Sequence, residues 1–257
     1  MKISGLTIIR NAISNGYPIA EVLDCLRVIS DEIIVLDGYS TDGTYEYLCT
    51  QNDIKTYQDN WNINSKSGLE FARITNLGLQ RCHGDYIFYL QADELLHHHD
   101  IEKIPSLIND NKSLSFNIFH IRYDFDYKLN GGYDKAIRII KNDKSIYSYY
   151  DAYTFEGNIH PILQTDFIIY HVGYVFIKNI LQKMINHYNL FYKDQKTYAH
   201  RKNIAAKYLE ILEKGDEIPS NIEISKILEP EYELIKHDTN IPTVLNRLIG
   251  HQQYTLP

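Results

Sequence analysis

Two short apolar runs that each stop at a carboxylate constrain the fold of this chain more than any other feature. They are Asp31-Glu-Ile-Ile-Val-Leu-Asp-Gly-Tyr-Ser-Thr-Asp-Gly-Thr44 and Gly84-Asp-Tyr-Ile-Phe-Tyr-Leu-Gln-Ala-Asp-Glu94. Ile33 to Leu36 and Tyr86 to Leu90 are too short for helices and show no polar alternation, the pattern of strands buried on both faces of a parallel sheet. Asp37 and Asp93 then fall at the carboxyl ends of those strands, where open α/β sheets bind their ligands. Two acids in that position point to a site for a metal and a nucleotide.

The rest of the first 95 residues keeps the same rhythm. Leu6 to Ile9 reads as a first strand ending at Arg10-Asn11, and Pro18 suits the first turn of a helix carried by Ile19, Val22, Leu23, Leu26 and Ile29. Thr44 to Cys49 predicts a short helix, Ile54 to Tyr57 a third strand and Gly68 to Cys82 a further helix. Alternating strands and helices of this kind imply a doubly wound α/β sheet with right-handed crossovers. Beyond residue 113, Ser115 to Tyr123, Ala136 to Ile140 and Phe167 to Ile169 are strand-like, with Asn130-Gly131-Gly132 as the turn between the first two. From Ile177 the period becomes helical through Ile180, Leu181, Met184 and Ile185. A second helix is expected over His200 to Glu213, an exposed connection over 210–233 and a last short helix over Ile241 to Ile249. The expected division is a sheet domain, residues 1–176, with a helical extension, residues 177–257, packed on it.

The 257 residues suffice for one sizeable core. Lys and Arg number 26 against 33 Asp and Glu, a net charge of −7, which argues against a broadly basic nucleic-acid surface. Cys25, Cys49 and Cys82 lack paired or metal-site spacing and read as reduced thiols. No stretch has transmembrane length and the N-terminus lacks an apolar signal segment, so the expected location is cytoplasmic, with peripheral contact at a membrane surface for a lipid-linked acceptor.

Residues 3–95 resemble a family 2 glycosyltransferase of the GT-A fold. The resemblance rests on the Asp37-to-Thr44 loop, Arg73 with Asn76, Gly84-Asp85 and the strand leading into Gln91-Ala-Asp-Glu94. It continues less specifically through Ile159-His-Pro161, Tyr170-His-Val-Gly-Tyr174 and Lys178. It implies a Rossmann-like mixed sheet flanked by helices, and transfer of a sugar from a nucleotide-diphosphate donor, UDP-sugar first among them, to an acceptor nucleophile. The transfer is expected to invert the anomeric centre with the help of Mn²⁺ or Mg²⁺. The expected acceptor is a glycan, a lipid-linked sugar or a modified nucleobase, and a homodimer is compatible with the chain.

The resemblance also implies roles for individual residues. Asp37 is expected to hold the donor's base or ribose, although an Asp here can equally satisfy loop amides. The donor set further includes Arg10, Arg73, Gln91, Ala92, Asp93 and Lys178. Asp93 is the metal-holding acid of the family's Asp-x-Asp pattern, whose first acid is Gln91 here. Glu94 either restores the lost charge or caps a helix. His171 is the expected second metal ligand, and an imidazole beside a carboxylate suits Mn²⁺ better than Mg²⁺. The catalytic base is expected from Asp151 or Glu156, which lie among Tyr149, Tyr150, Tyr153 and Phe155; Asp151 is preferred. Arg138 and His160 are further candidates to face phosphate, with surface solvation the plain alternative for Arg138 and for Lys178. His97-His98-His99 reads as a solvated patch. Two other readings stay open: a sugar-1-phosphate nucleotidyltransferase, which would normally carry a Gly-rich basic loop after the first strand, and a non-catalytic nucleotide-sugar-binding protein.

Overall fold

Buried apolar runs set the frame. The computed structural model describes residues 1–62, 68–108, 113–191, 196–231, 233–237, 240–249, 251 and 253–257. In chain order the first half comprises β1 (Ile3–Ile9), α1 (Ala12–Asn15), α2 (Ile19–Arg27), β2 (Glu32–Asp37), α3 (Thr44–Thr50), β3 (Ile54–Gln58), α4 (Leu69–Leu79), β4 (Tyr86–Tyr89), β5 (Glu94–Leu95), α5 (His98–Ile101) and α6 (Ile104–Leu107). The second half comprises β6 (Ser113–Arg122), β7 (Asp124–Asn130), β8 (Lys135–Lys141), β9 (Tyr147–Tyr149), β10 (Thr154–Glu156), β11 (Ile162–Tyr174), α7 (Ile177–Phe191), α8 (Lys196–Glu213), α9 (Asn221–Leu228), β12 (Glu233–Lys236) and a 3₁₀ turn, Thr243–Leu248.

Strands β3, β2, β1 and β4 lie side by side in that order and run parallel. Beyond β4 the sheet becomes mixed: β8 pairs antiparallel with β4 and β6, whereas β11 runs parallel to β6 and antiparallel to β5. Successive residues of the parallel strands point to opposite faces. Ile33, Val35 and Phe88 pack with Val22, Leu23 and Leu26 of α2, whereas Ile34, Leu36, Ile87 and Tyr89 pack with Ile74 of α4. Both faces are therefore buried, which is why these strands show no alternation in sequence. Gly84 is needed for close approach: a Cβ there would lie 2.7 Å from the Ser4 amide nitrogen of β1. Asp85 beside it accepts the Lys2 amide at 2.7 Å.

Three departures from expectation have local causes. The turn at Asn130 to Gly132 joins β7 to β8 instead of β6 to β8, because β7 is an additional strand, buried only at Phe125 and Leu129. The connection expected over 210–233 contains α9, whose Ile224 and Leu228 are buried against α7 and α8. Its start is a capping box, Ser220 with Glu223, a signal present in the sequence. The last helix is a 3₁₀ turn.

Glu32, at the amino end of β2, ties the parallel strands together. It accepts hydrogen bonds from Ser4 Oγ of β1 at 2.8 Å, Lys55 Nζ of β3 at 2.9 Å and the His83 amide before β4 at 2.7 Å. Burial works to raise its carboxyl, but these bonds together outweigh it and bring the pKa to about 2. A folded value below the unfolded one means that this stabilisation is present above the ordinary carboxylate range and is lost as pH falls through the folded value. Urea unfolding at neutral pH should show Glu32→Gln less stable by about 1–3 kcal/mol. The difference from wild type should shrink as the pH is lowered from about 4.5.

Candidate active site

The order β3-β2-β1-β4 reverses direction between β1 and β4, and open α/β sheets place ligand crevices at such a point. A cleft of ≈ 580 Å³ lies there. Arg10 and Asn11 follow β1 into it, Gln91, Ala92 and Asp93 follow β4, and Asp151 to Tyr153 enter from the turn between β9 and β10. His171 of β11 and Lys183 and Asn186 of α7 complete the wall. Arg10 Nε is buried and has no hydrogen-bond partner among the described residues. An orphaned guanidinium nitrogen in a cleft wall is a ready anion contact.

Asp93 is the electrostatic centre of the cleft. Its Oδ2 lies 3.3 Å from His171 Nε2 and 3.4 Å from Lys183 Nζ. Burial works to raise the Asp93 carboxyl, but the charges of His171 and Lys183 outweigh it and hold it below the ordinary range. Lys183 is itself buried, which lowers its ammonium to about 8 despite the opposing pull of Asp93. A Cβ on Gly173 would come 2.0 Å from Asp93 Oδ2 and 2.8 Å from Lys183 Nζ. Only glycine allows that pair to press against β11. His171 Nδ1 meets His120 Nδ1 at 3.1 Å, and His120 Nε2 lies 3.0 Å from the Tyr133 carbonyl. Because a carbonyl can only accept, His120 carries its proton on Nε2 and presents a bare Nδ1. Burial and the neighbouring His171 lower His120 to about 3, consistent with that neutral form. His171 thus stands between His120 and Asp93.

Glu94 and Arg138 hold this site from behind. Both are fully buried, and the guanidinium meets the carboxylate twice at 2.6 Å. Glu94 Oε2 also accepts the Gln91 amide at 3.1 Å, and Arg138 donates to the Tyr153 carbonyl at 2.8 Å. Glu94 therefore neither replaces the charge missing at Gln91 nor caps an exposed helix, and Arg138 neither faces phosphate nor sits in solvent. Each satisfies the other inside the core. Gln91 donates to the Ala152 carbonyl at 3.1 Å, so the residue in the first position of the acidic motif ties the β4 turn to the loop carrying Asp151.

Of the two base candidates, the structure brings only Asp151 into the cleft. Its carboxyl is raised by desolvation, partly offset by the Tyr153 amide. Glu156 is exposed and accepts from Tyr147 Oη at 3.0 Å. Asp37 is fully buried and outside the cleft wall: it takes Ser40 Oγ at 2.5 Å, the Ser40 amide at 3.1 Å and Gln58 Nε2 at 3.0 Å. Ser40 Oγ in turn accepts the Asn11 amide at 2.8 Å, so Asp37 reaches the cleft through Ser40 and Asn11. Arg73 is bound to Glu70 and Asp59 away from the cleft, whereas Asn76 of the same helix clasps both backbone groups of Ser148 in β9. Lys178 and His160 are exposed and do not line the cleft. Lys183 was not distinguishable in sequence. It lies off the apolar stripe of α7 and is buried because that helix also packs on the turn at Asn15, where Asn186 donates to Asn15 Oδ1 at 3.0 Å.

Asp93 and His171, the residues expected to hold a divalent ion, do meet. Yet the same carboxylate oxygen already faces the Lys183 ammonium. No group of three His, Cys, Asp or Glu side chains able to hold a metal occurs among the described residues. One carboxylate already held by an ammonium, with a single imidazole beside it, is a poor fit to Mn²⁺ or Mg²⁺, which need several unprotonated ligands.

A mixed sheet whose parallel half ends in this cleft is the GT-A architecture. The family model "Glycosyl transferase family 2" matches residues 11–176, and the chain belongs to that family: it is a glycosyltransferase that uses a nucleotide-sugar donor. Among solved structures it is similar to S. aureus TarS 1-349, at 15% identity and TM-score 0.44 over 82% of this chain and 73% of that one. The TarS 1-349 complex with UDP matches at 18% identity and TM-score 0.44 over 82% and 71% of the two chains. The complex with UDP-GlcNAc matches at 16% identity and TM-score 0.42 over 82% and 74%. No curated protein sequence matches the chain. No helix of the described residues is long and apolar enough to cross a membrane.

Removing one partner of a buried ion pair strands the other charge, at a cost of about 3–5 kcal/mol. Arg138→Met should lose stability by that amount in denaturant unfolding, and the double variant Glu94→Gln/Arg138→Met should recover much of it.

Proposed function

We propose that the protein is an inverting transferase that binds a uridine-diphosphate sugar in the cleft between β1 and β4 and uses Asp151 as general base. The observation that carries this reading is the placement of Asp151. It is the one base candidate lining the same cleft as Arg10 and Asp93, and its raised pKa suits a proton acceptor. The acceptor hydroxyl oxygen attacks the anomeric carbon from the face opposite the diphosphate, and its proton passes to the Asp151 carboxylate. The bond from the anomeric carbon to the β-phosphate oxygen breaks with its electron pair on that oxygen, where Arg10 offers its orphaned nitrogen. Attack from the opposite face inverts the centre.

The acceptor we favour is a hydroxyl of a glycan or lipid-linked sugar. Exposed Tyr149 and Tyr150, with ring centroids 5.6 Å apart, stand beside Asp151 and offer faces for stacking on a sugar ring. A modified nucleobase would stack equally well, but the net charge of −7 disfavours DNA.

Asp151→Asn should lower kcat by about 10²–10⁴-fold and leave the KM for the nucleotide sugar nearly unchanged. The wild-type rate should fall on the acid side as Asp151 is protonated, at a pH above that of an ordinary carboxylate. Steady-state kinetics with UDP-sugars and an oligosaccharide acceptor panel checks both. Full turnover in the variant would remove Asp151 from the mechanism. Donor binding without any transfer or hydrolysis would favour the non-catalytic reading.

A further inference from the structure

The disagreement between this cleft and a metal site leads to a different source of positive charge. We propose that Lys183 supplies the counter-charge for the donor diphosphate, so that the nucleotide binds this cleft without a divalent ion. The inference rests on the donor reading above and adds to it the group that holds the phosphates.

Four observations converge on Lys183. It lines the cleft although its side chain is only 3% exposed. Its ammonium is held by Asp93 Oδ2 at 3.4 Å and the Gly173 carbonyl at 3.1 Å. An ammonium has three N–H donors, so one of the three has no acceptor among the described residues. The rings of Tyr17 and Tyr174 flank the nitrogen, with centroids at 4.5 and 3.9 Å. Their negative faces attract the ammonium and fix its position. Glycine at 173 leaves the space that this arrangement fills.

The charge count agrees. Lys183 and Arg10 outnumber Asp93 in this part of the cleft, and Gln91 stands where a second acid would supply a metal ligand. A divalent ion entering beside Asp93 would meet the Lys183 ammonium already there, whereas a diphosphate would meet an excess of positive charge. Asp93 then acts as a positioning residue: it anchors the lysine from behind and leaves its front for the phosphates. When the sugar departs, the electron pair left on the β-phosphate oxygen develops its charge next to the ammonium and needs no metal to disperse it.

The test is calorimetric titration of the full chain with UDP, GDP, dTDP and CDP, after metal removal and in EDTA, then with added Mn²⁺. The expected result is that the preferred nucleotide binds in EDTA as tightly as with Mn²⁺. Lys183→Met and Lys183→Gln should weaken it at least about tenfold in both conditions, the loss of one charged hydrogen bond. Melting curves check that the variants fold, and if neither does, the wild-type comparison alone decides. Binding that appears only with Mn²⁺ would overturn the proposal and leave the donor reading standing. So would variants that bind as tightly as wild type. Failure of all four nucleotides to bind in either condition would overturn the donor reading and the proposal together.

Discussion

The buried pair of Glu94 and Arg138 is the constraint on which the site depends. Two unit charges with no exposure to water pay a large desolvation cost, and only good geometry with every remaining hydrogen-bonding group satisfied offsets it. Here the offset is structural as well as energetic. Glu94 takes the Gln91 amide, and Arg138 donates to the carbonyls of Ile137 and Tyr153. The turn after β4, the strand β8 and the loop bearing Asp151 are thus fixed to one another through a single contact. A well-packed apolar pair could match its stability, but it could not orient these backbone segments by hydrogen bonds. Tyr89 packs its ring under the guanidinium, at 5.4 Å to the centroid, and carries the same contact into the core below the cleft.

The helices after residue 177 are part of the site and not an appendage to it. Asn179 donates to the carbonyls of Ile13 and Ser14 at 2.7 and 3.2 Å, and its Oδ1 accepts the Tyr254 amide at 2.7 Å. Tyr254 Oη then reaches Glu21 and the Ala20 amide in α2. These bonds tie α7 and the last residues to the segment between β1 and α2, so that Lys183 and Asn186 stand across the cleft from Arg10. Further along, Glu229 joins Arg122, Tyr123 and Arg201, anchoring α8 to β6. The family match ends at residue 176, one residue before α7 begins. Charge in the cleft therefore comes partly from a segment outside the matched region.

The parallel half of the sheet was legible because burial on both faces leaves an unbroken apolar run, which few other structures produce. The motif residues were legible as a set, but their roles were not. Arg73 and Asn76 sit on one helix, yet Arg73 pairs at the surface while Asn76 holds β9. Arg138 reads as an ordinary surface cation in Lys-Ala-Ile-Arg-Ile-Ile; only the pairing of β8 with β4 and β6 sends it inward to Glu94. Lys183 fails for a related reason. Periodicity reports one apolar face of a helix, whereas α7 is covered on two. β7 escaped because a strand that buries two residues in seven leaves little pattern to read.

Asp37 and Asp93 show how topology assigns function to chemically identical groups. Each stands at the carboxyl end of an apolar strand of the same sheet. β2 has β1 on one side and β3 on the other, both running parallel and connected in the same sense, so the loop after it closes on itself. Asp37 spends its lone pairs on Ser40 and Gln58. β1 and β4 are neighbours whose connections depart in opposite directions, and the gap between those departures cannot be filled by either loop. Asp93 faces that gap. Its partners must come from distant segments, His171 from β11 and Lys183 from α7, and groups that converge from distant segments can be arranged round a ligand. The first carboxylate shapes the wall, through Ser40 and Asn11, and the second sets the charge inside it.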